Sequence, residues 1–123
     1  MNIHFIIMVI FFMESSNGKL LHHKDGSVGP LGIKPETVAF VNKRLNVQFE
    51  IDAMHDRDNA FSFARIYIRM FKMDHPGATE RDIISMWRCG WTGRHRMTIK
   101  QYKYVREAMK RLELLKAGKD YTK

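Results

Sequence analysis

The longest apolar run of the chain ends in a single carboxylate. Residues 3–13 are apolar apart from His4, and Glu14 follows directly. The run is too short to cross a bilayer, which takes about 20 apolar residues. It also lacks the basic n-region and the small-residue cleavage site of a signal peptide. We therefore predict a buried core helix over residues 2–14, with membrane anchoring as the alternative.

A carboxyl group at the mouth of an apolar helix is placed to keep its proton. Desolvation disfavours the charged form of the group and raises its pKa toward the range that suits a general acid. Glycoside cleavage needs such an acid beside the glycosidic oxygen, so it is the first chemistry to consider for Glu14. The alternative is an ordinary solvated glutamate at a helix end.

Composition and charge limit the class of protein. The 123 residues are 45% hydrophobic and 28% charged, which predicts one folded domain over residues 1–117 and a basic tail over 118–123. The single cysteine excludes an intrachain disulfide. Residues 1–87 contain ten basic and ten acidic residues, whereas residues 88–123 contain eleven and three, so the last third carries the whole net charge of +8. This excess predicts a polyanionic partner, and a merely solvated helix face is the alternative.

Capping signals and helical periodicity predict a mainly α fold. Helices are expected to begin at Pro35, at a cap formed by Asp58 or Asn59, and at capping boxes that start with Thr79 and Thr98. The helix that Asp58 or Asn59 would cap is predicted over residues 59–73. The last helix is expected to bury Tyr102, Val105, Met109 and Leu112 and to end near Gly118. Only residues 47–51 alternate, as a short strand or a packed loop.

Four strings follow one another along the chain: Glu14-Ser15-x-x-Gly18-Lys19, Val28-Gly29-Pro30-Leu31-Gly32-Ile33, Trp87-Arg88-Cys89-Gly90, and the helix from Thr98 to Met109. In this order and spacing, over residues 2–112, they resemble the goose-type lysozyme and lytic transglycosylase branch of the lysozyme-like superfamily, as in small phage versions. The resemblance implies an α+β lysozyme-like domain with a catalytic cleft. It also implies cleavage of the β-1,4 bond between N-acetylmuramic acid and N-acetylglucosamine in peptidoglycan.

The resemblance further implies roles for individual residues. Glu14 is the expected general acid and, once ionised, the base; water or the muramic 6-hydroxyl group completes the reaction. Asp25 is the candidate second carboxylate, although Asp25-Gly26 is also a common turn dipeptide. The expected substrate-binding residues are Ser15, Gly29, Leu31, Gly32, Ile33, Trp91 and Tyr102. For Ser15 the alternative is a helix cap, and for the two glycines it is a turn. Trp91 is expected to be an exposed platform for a sugar ring.

Three positions depart from the pattern of the family. Gly32 stands where a glutamine usually lines the substrate groove, and Arg88 stands where an asparagine is usual. Gln101 aligns with the aromatic residue of the last helix more directly than Tyr102 does. These departures bear on the positioning of the saccharide. They keep open a second hypothesis, a catalytically weak or inactive virion or tail protein with the same fold.

The expected partners follow from these hypotheses. Peptidoglycan is the predicted substrate, and residues 94–119 are expected to hold an anionic envelope polymer. A virion or tail assembly is a further expected partner. A basic nucleic-acid-binding module over residues 94–119 is the third hypothesis, and membrane binding is not expected. His22, His23 and His55 lack metal-ligand spacing, so neither a metal nor a cofactor is predicted. The expected location is the virion, or the bacterial cytoplasm before delivery to the cell wall.

Overall fold

The computed structural model describes residues 1–19 and 23–123, and the elements of this part are helical. The α-helices are α1 (Ile3–Ser15), α2 (Pro35–Leu45), α3 (Arg57–Asp74), α4 (Glu80–Cys89) and α5 (Ile99–Lys116), with short 3-10 helices at Ile51–His55 and Gly93–His95. Among these described residues the single β pairing is an antiparallel bridge between Val28 and Ile33. The prediction of a mainly α fold is confirmed. The alternating stretch over residues 47–51 is a loop that runs into the first 3-10 helix.

The described chain divides into two compact units. We call Phe11–Tyr67 the central unit, and Met1–Ile10 together with Ile68–Lys123 the terminal unit. Both boundaries fall inside helices, since α1 and α3 each contribute to both units. The central unit contains Glu14 and the glycine-bearing string that follows it. The terminal unit contains the whole excess of positive charge.

The first helix is buried, as its composition predicts. Ile6, Ile7, Val9 and Ile10 are almost completely inaccessible to solvent, whereas His4 is exposed. A helix that is apolar on nearly all sides must be covered by the rest of the protein. No helix in the described ranges combines the length and the apolar character that spanning a membrane requires.

Local capping fixes where the other helices begin. In α4 the Thr79 hydroxyl accepts from Asp82 N at 3.2 Å, and the Asp82 carboxylate accepts from Thr79 N at 2.9 Å. The same reciprocal pair opens α5, so both predicted capping boxes are confirmed. The predicted cap of α3 is wrong. Asp56 Oδ2 accepts from Asn59 N at 2.9 Å, and the helix therefore begins two residues earlier than predicted, at Arg57.

The buried stripe of α5 is shorter than the sequence predicts. Val105, Ala108 and Leu112 are fully buried, but Tyr102 is 49% exposed, so its assignment to the core is wrong. Gly118 has φ +71° and donates its N–H to Leu115 O, which confirms the predicted end of the helix. The residues that follow turn back toward α5, because Arg111 Nη1 donates to Tyr121 O at 2.7 Å.

Candidate active site

The end of α1 determines where Glu14 lies. Ser15 Oγ donates to Phe11 O and accepts from Gly18 N, both at 3.0 Å. Ser16, Asn17 and Gly18 then all have positive φ, at 49°, 62° and 89°, so the helix cannot continue. Glu14 is therefore in the last turn of α1. Ser15 is completely buried and caps the helix. The structure therefore favours the helix cap over the expected contact with substrate.

The glycine-bearing string forms one tight hairpin turn. Val28 N donates to Ile33 O at 2.8 Å, and Ile33 N donates to Val28 O at 3.0 Å. Inside this pair, Gly32 N donates to Gly29 O at 3.1 Å and closes the turn. Leu31 and Ile33 are 0% and 2% exposed, so they anchor the turn in the core and offer almost no surface to a ligand. Their expected role in substrate binding is reduced accordingly.

Gly29 is required because two backbone segments approach each other closely. It has φ +76°, and a Cβ atom there would lie only 1.9 Å from the carbonyl oxygen of Met54. No side chain can be accommodated at that distance, since real Cβ contacts are longer than 3.0 Å. His23, six residues before Gly29, donates from Nε2 to the carbonyl oxygen of Gly29 at 2.7 Å and so also holds the turn. The turn is thus fixed to the first 3-10 helix and to His23.

Glu14 and Gly32 meet in the central unit. A Cβ atom on Gly32 would lie 2.9 Å from Glu14 Oε2 and 3.2 Å from Glu14 Cδ. The carboxyl group therefore lies directly against the bare Cα of the turn, and Glu14 is partly buried. Gly32 also has φ +62°, a conformation that favours glycine. A glutamine here, as is usual in the resembled family, would displace the carboxyl group from its present position.

Asp25 has the geometry of a turn residue. Its Oδ1 accepts from Ser27 N at 3.1 Å and from Ser27 Oγ at 2.5 Å, and its side chain is exposed. The hydrogen bond from the Ser27 hydroxyl, followed by that from the Ser27 amide, lowers the pKa of Asp25 below its ordinary value. Since the pKa is lower in the folded state, this contact stabilises the fold above the ordinary pKa of aspartate. The stabilisation is lost as the pH falls through the lowered value.

The aromatic candidates both belong to the terminal unit. Trp91 is partly buried rather than exposed, because its ring packs edge to face against Phe71 at 5.3 Å and His75 at 5.5 Å. Tyr102 is exposed, with the Arg81 guanidinium 5.4 Å from its ring centroid. These contacts correct the expectation that Trp91 is an open platform. Tyr102 has the more accessible ring of the two.

Two residues of the site carry no obvious signal in the sequence. His23 holds the Gly29 carbonyl, and Met54 provides the backbone that excludes a side chain at position 29. The pair His22-His23 draws attention only to metal binding, and His22 lies outside the described residues. Within the described ranges no group of three or more histidine, cysteine or acidic residues could hold a metal ion. Residues 47–51 alternate, which predicts a strand or a packed loop, and no sequence pattern predicts that residues 52–55 approach the turn.

Arg88, which stands where the resembled family has an asparagine, has a defined contact. Its guanidinium lies 5.3 Å from the centroid of the Tyr104 ring, an arrangement typical of a cation–π pair.

Comparison with known proteins adds no assignment to this picture. No family model matches the chain, and neither a curated protein nor a solved structure gives a significant match. What the site can do must therefore be inferred from its own residues and geometry.

Proposed function

We propose that this protein cleaves the β-1,4 bond between N-acetylmuramic acid and N-acetylglucosamine in peptidoglycan, with Glu14 as the general acid. The observation that carries the proposal is the contact between the Glu14 carboxyl group and Gly32. Two strings 18 positions apart in the sequence are thereby brought together, and they are the two that the resemblance assigns to one site. Glu14 is also partly buried, so its carboxyl group is partly shielded from bulk water.

In the proposed reaction Glu14 donates its proton to the glycosidic oxygen as the bond from that oxygen to the anomeric carbon breaks. The sugar passes through an oxocarbenium-like transition state, and the leaving saccharide departs with the proton. The ionised Glu14 then takes a proton from the group that attacks the anomeric carbon. Attack by water gives a reducing end, and attack by the muramic 6-hydroxyl group gives a 1,6-anhydro end.

The state of Asp25 favours the second route. Its carboxylate is held ionised by Ser27 and is engaged in the turn, so it is not arranged as a second catalytic group. We therefore expect fragments with 1,6-anhydro ends from purified peptidoglycan, and the same fragments at the same rate from Asp25→Asn. Mass spectrometry of the released muropeptides measures both. Reducing ends that disappear in Asp25→Asn would show that Asp25 activates water.

Gly32→Ala tests whether the turn positions the acid. The added Cβ atom must displace the Glu14 carboxyl group, and a misplacement of about 1 Å can cost about 100-fold in rate. We expect the release of muropeptides to fall by about 10- to 100-fold, with the chain still folded. Gly26→Ala is the matched control, since Gly26 also has positive φ but nothing lies within 4 Å of its added Cβ. Equal activity of the two variants would contradict a positioning role for Gly32.

In this proposal the protein acts on the cell wall, either from a virion or after delivery from the bacterial cytoplasm. The inactive virion or tail protein remains the rival hypothesis. Its support is the replacement of the usual glutamine and asparagine by Gly32 and Arg88. Release of muropeptides by the native chain decides between the two, because a structural protein releases none.

A further inference from the structure

The exposed side of α5 carries a row of cations. Lys100, Lys103, Arg106 and Lys110 are all exposed, and we call them the basic row. At about 100° and 1.5 Å per residue, they occupy about a third of the circumference of the helix and extend over about 15 Å. The opposite side of α5 is buried through Val105, Ala108 and Leu112. The row is therefore carried on a rigid element of the terminal unit.

The acidic residues near the basic row are already paired with other cations. Glu107, the one acidic residue of α5 that falls within the length of the row, is bound to Arg111 at 3.0 Å. Glu113 is bound to Lys116 at 3.3 Å, and Lys116 also pairs with Glu80. Within residues 1–19 and 23–123, none of the four cations of the row makes an ion pair. Four positive charges thus remain without compensation on one side of the helix.

We propose that the basic row binds a linear phosphodiester polymer of the cell envelope, of the teichoic acid class. The inference rests on the proposed function, and it adds a partner that holds the protein on its substrate. Charge complementarity favours a polymer with regularly recurring anionic groups. Three of the four cations are lysines, whose compact ammonium groups on flexible stems contact phosphates as point charges.

The aromatic residues of α5 argue against nucleic acid as the partner. Binding of single strands uses open aromatic faces on which bases stack. Tyr102 and Tyr104 each have one ring face occupied by a guanidinium group, from Arg81 at 5.4 Å and from Arg88 at 5.3 Å. Ile99, which also lies next to the row, is aliphatic and 77% exposed. At most one face of each ring is left for a base, so the surface favours a charged backbone without bases.

The experiment compares two triple variants that remove the same number of charges. Lys100→Gln, Lys103→Gln and Lys110→Gln neutralise the three lysines of the row, whereas Lys24→Gln, Lys43→Gln and Arg69→Gln neutralise exposed cations elsewhere. Binding to poly(glycerol phosphate) is measured at several salt concentrations. We expect the row variant to lose about tenfold or more in affinity and the control to stay within about twofold. The slope of log affinity against log salt should fall by about 2 in the row variant, at about 0.7 per lost contact.

Further arms identify the source of the charge and separate this inference from the proposed function. Tighter binding of single-stranded DNA than of poly(glycerol phosphate), lost in the row variant, would overturn the inference in favour of nucleic acid. Equal losses in the two triple variants would also overturn it, as an effect of net charge. The native protein and the row variant should degrade teichoic-acid-free peptidoglycan equally. Absence of degradation by both would count against the proposed function alone, because binding is measured without turnover.

Discussion

Glu14→Gln is expected to abolish most release of muropeptides from purified peptidoglycan while the protein stays folded. The exchange keeps the shape of the side chain beside Gly32 and removes the proton that the leaving oxygen needs. General acid catalysis contributes about 10²- to 10⁴-fold to rates of this kind, and we expect a loss in that range. Loss of turbidity and mass spectrometry of the soluble fragments measure the effect.

Glu50→Gln is the matched control for this variant. Glu50 lies in the same unit and is exposed at the start of the first 3-10 helix, so its exchange removes a carboxylate without touching the turn. We expect its activity to equal that of the native chain. Thermal unfolding followed by circular dichroism checks that each variant is folded. Unchanged activity of Glu14→Gln would contradict the catalytic role. No activity in the native chain would leave a structural protein of the same fold.

Gly29→Ala is expected to destabilise the central unit by about 3 kcal/mol or more. The new Cβ atom would lie 1.9 Å from Met54 O, and neither the 3-10 helix nor the hairpin turn can move apart without losing its own hydrogen bonds. Overpacking of a rigid site costs about 1–3 kcal/mol or more, and the left-handed conformation adds about 1–2 kcal/mol for a non-glycine residue. Urea-induced unfolding gives the free energy of unfolding.

Gly26→Ala separates the two contributions. Its φ of +79° is close to the +76° of Gly29, but its added Cβ meets nothing within 4 Å. We expect a loss of about 1–2 kcal/mol from the conformation alone. The difference between the two variants then measures the clash with Met54. If both variants lose the same free energy of unfolding, the close approach of the two backbone segments does not hold in solution.

The sequence predicts the helix ends that depend on residues only a few positions apart. The reciprocal caps of α4 and α5 need only a threonine and an acceptor three residues later, and both are present as predicted. The cap of α3 was assigned wrongly because Asp56, Asp58 and Asn59 are equivalent as residue types, and only the observed bond to Asn59 N distinguishes Asp56. Tyr102 follows the helical period of the buried stripe but lies in the first turn of α5, where the core no longer covers it.

Contacts between distant segments were less accessible to sequence reasoning. The proximity of Glu14 and Gly32 was implied by resemblance, and no spacing rule predicts it. The approach of Gly29 to the Met54 carbonyl had no signal, because glycine is equally typical of a free turn. The boundaries of the two units have no signal in the sequence either, because they fall inside α1 and α3 and not in a loop of distinctive composition. The sequence allows two interpretations of Asp25, a second carboxylate or a turn residue, and its bonds to Ser27 support the turn.

The residues that position the Glu14 carboxyl group come from one stretch of chain. Glu14, the hairpin turn and the 3-10 helix against which the turn packs all lie between residues 14 and 55. The basic row lies entirely after residue 99 and shares no position with that stretch. If both proposals hold, catalysis and anchoring depend on different stretches of the chain. Substitutions in the basic row should then change the affinity for the polymer while the surroundings of Glu14 stay the same.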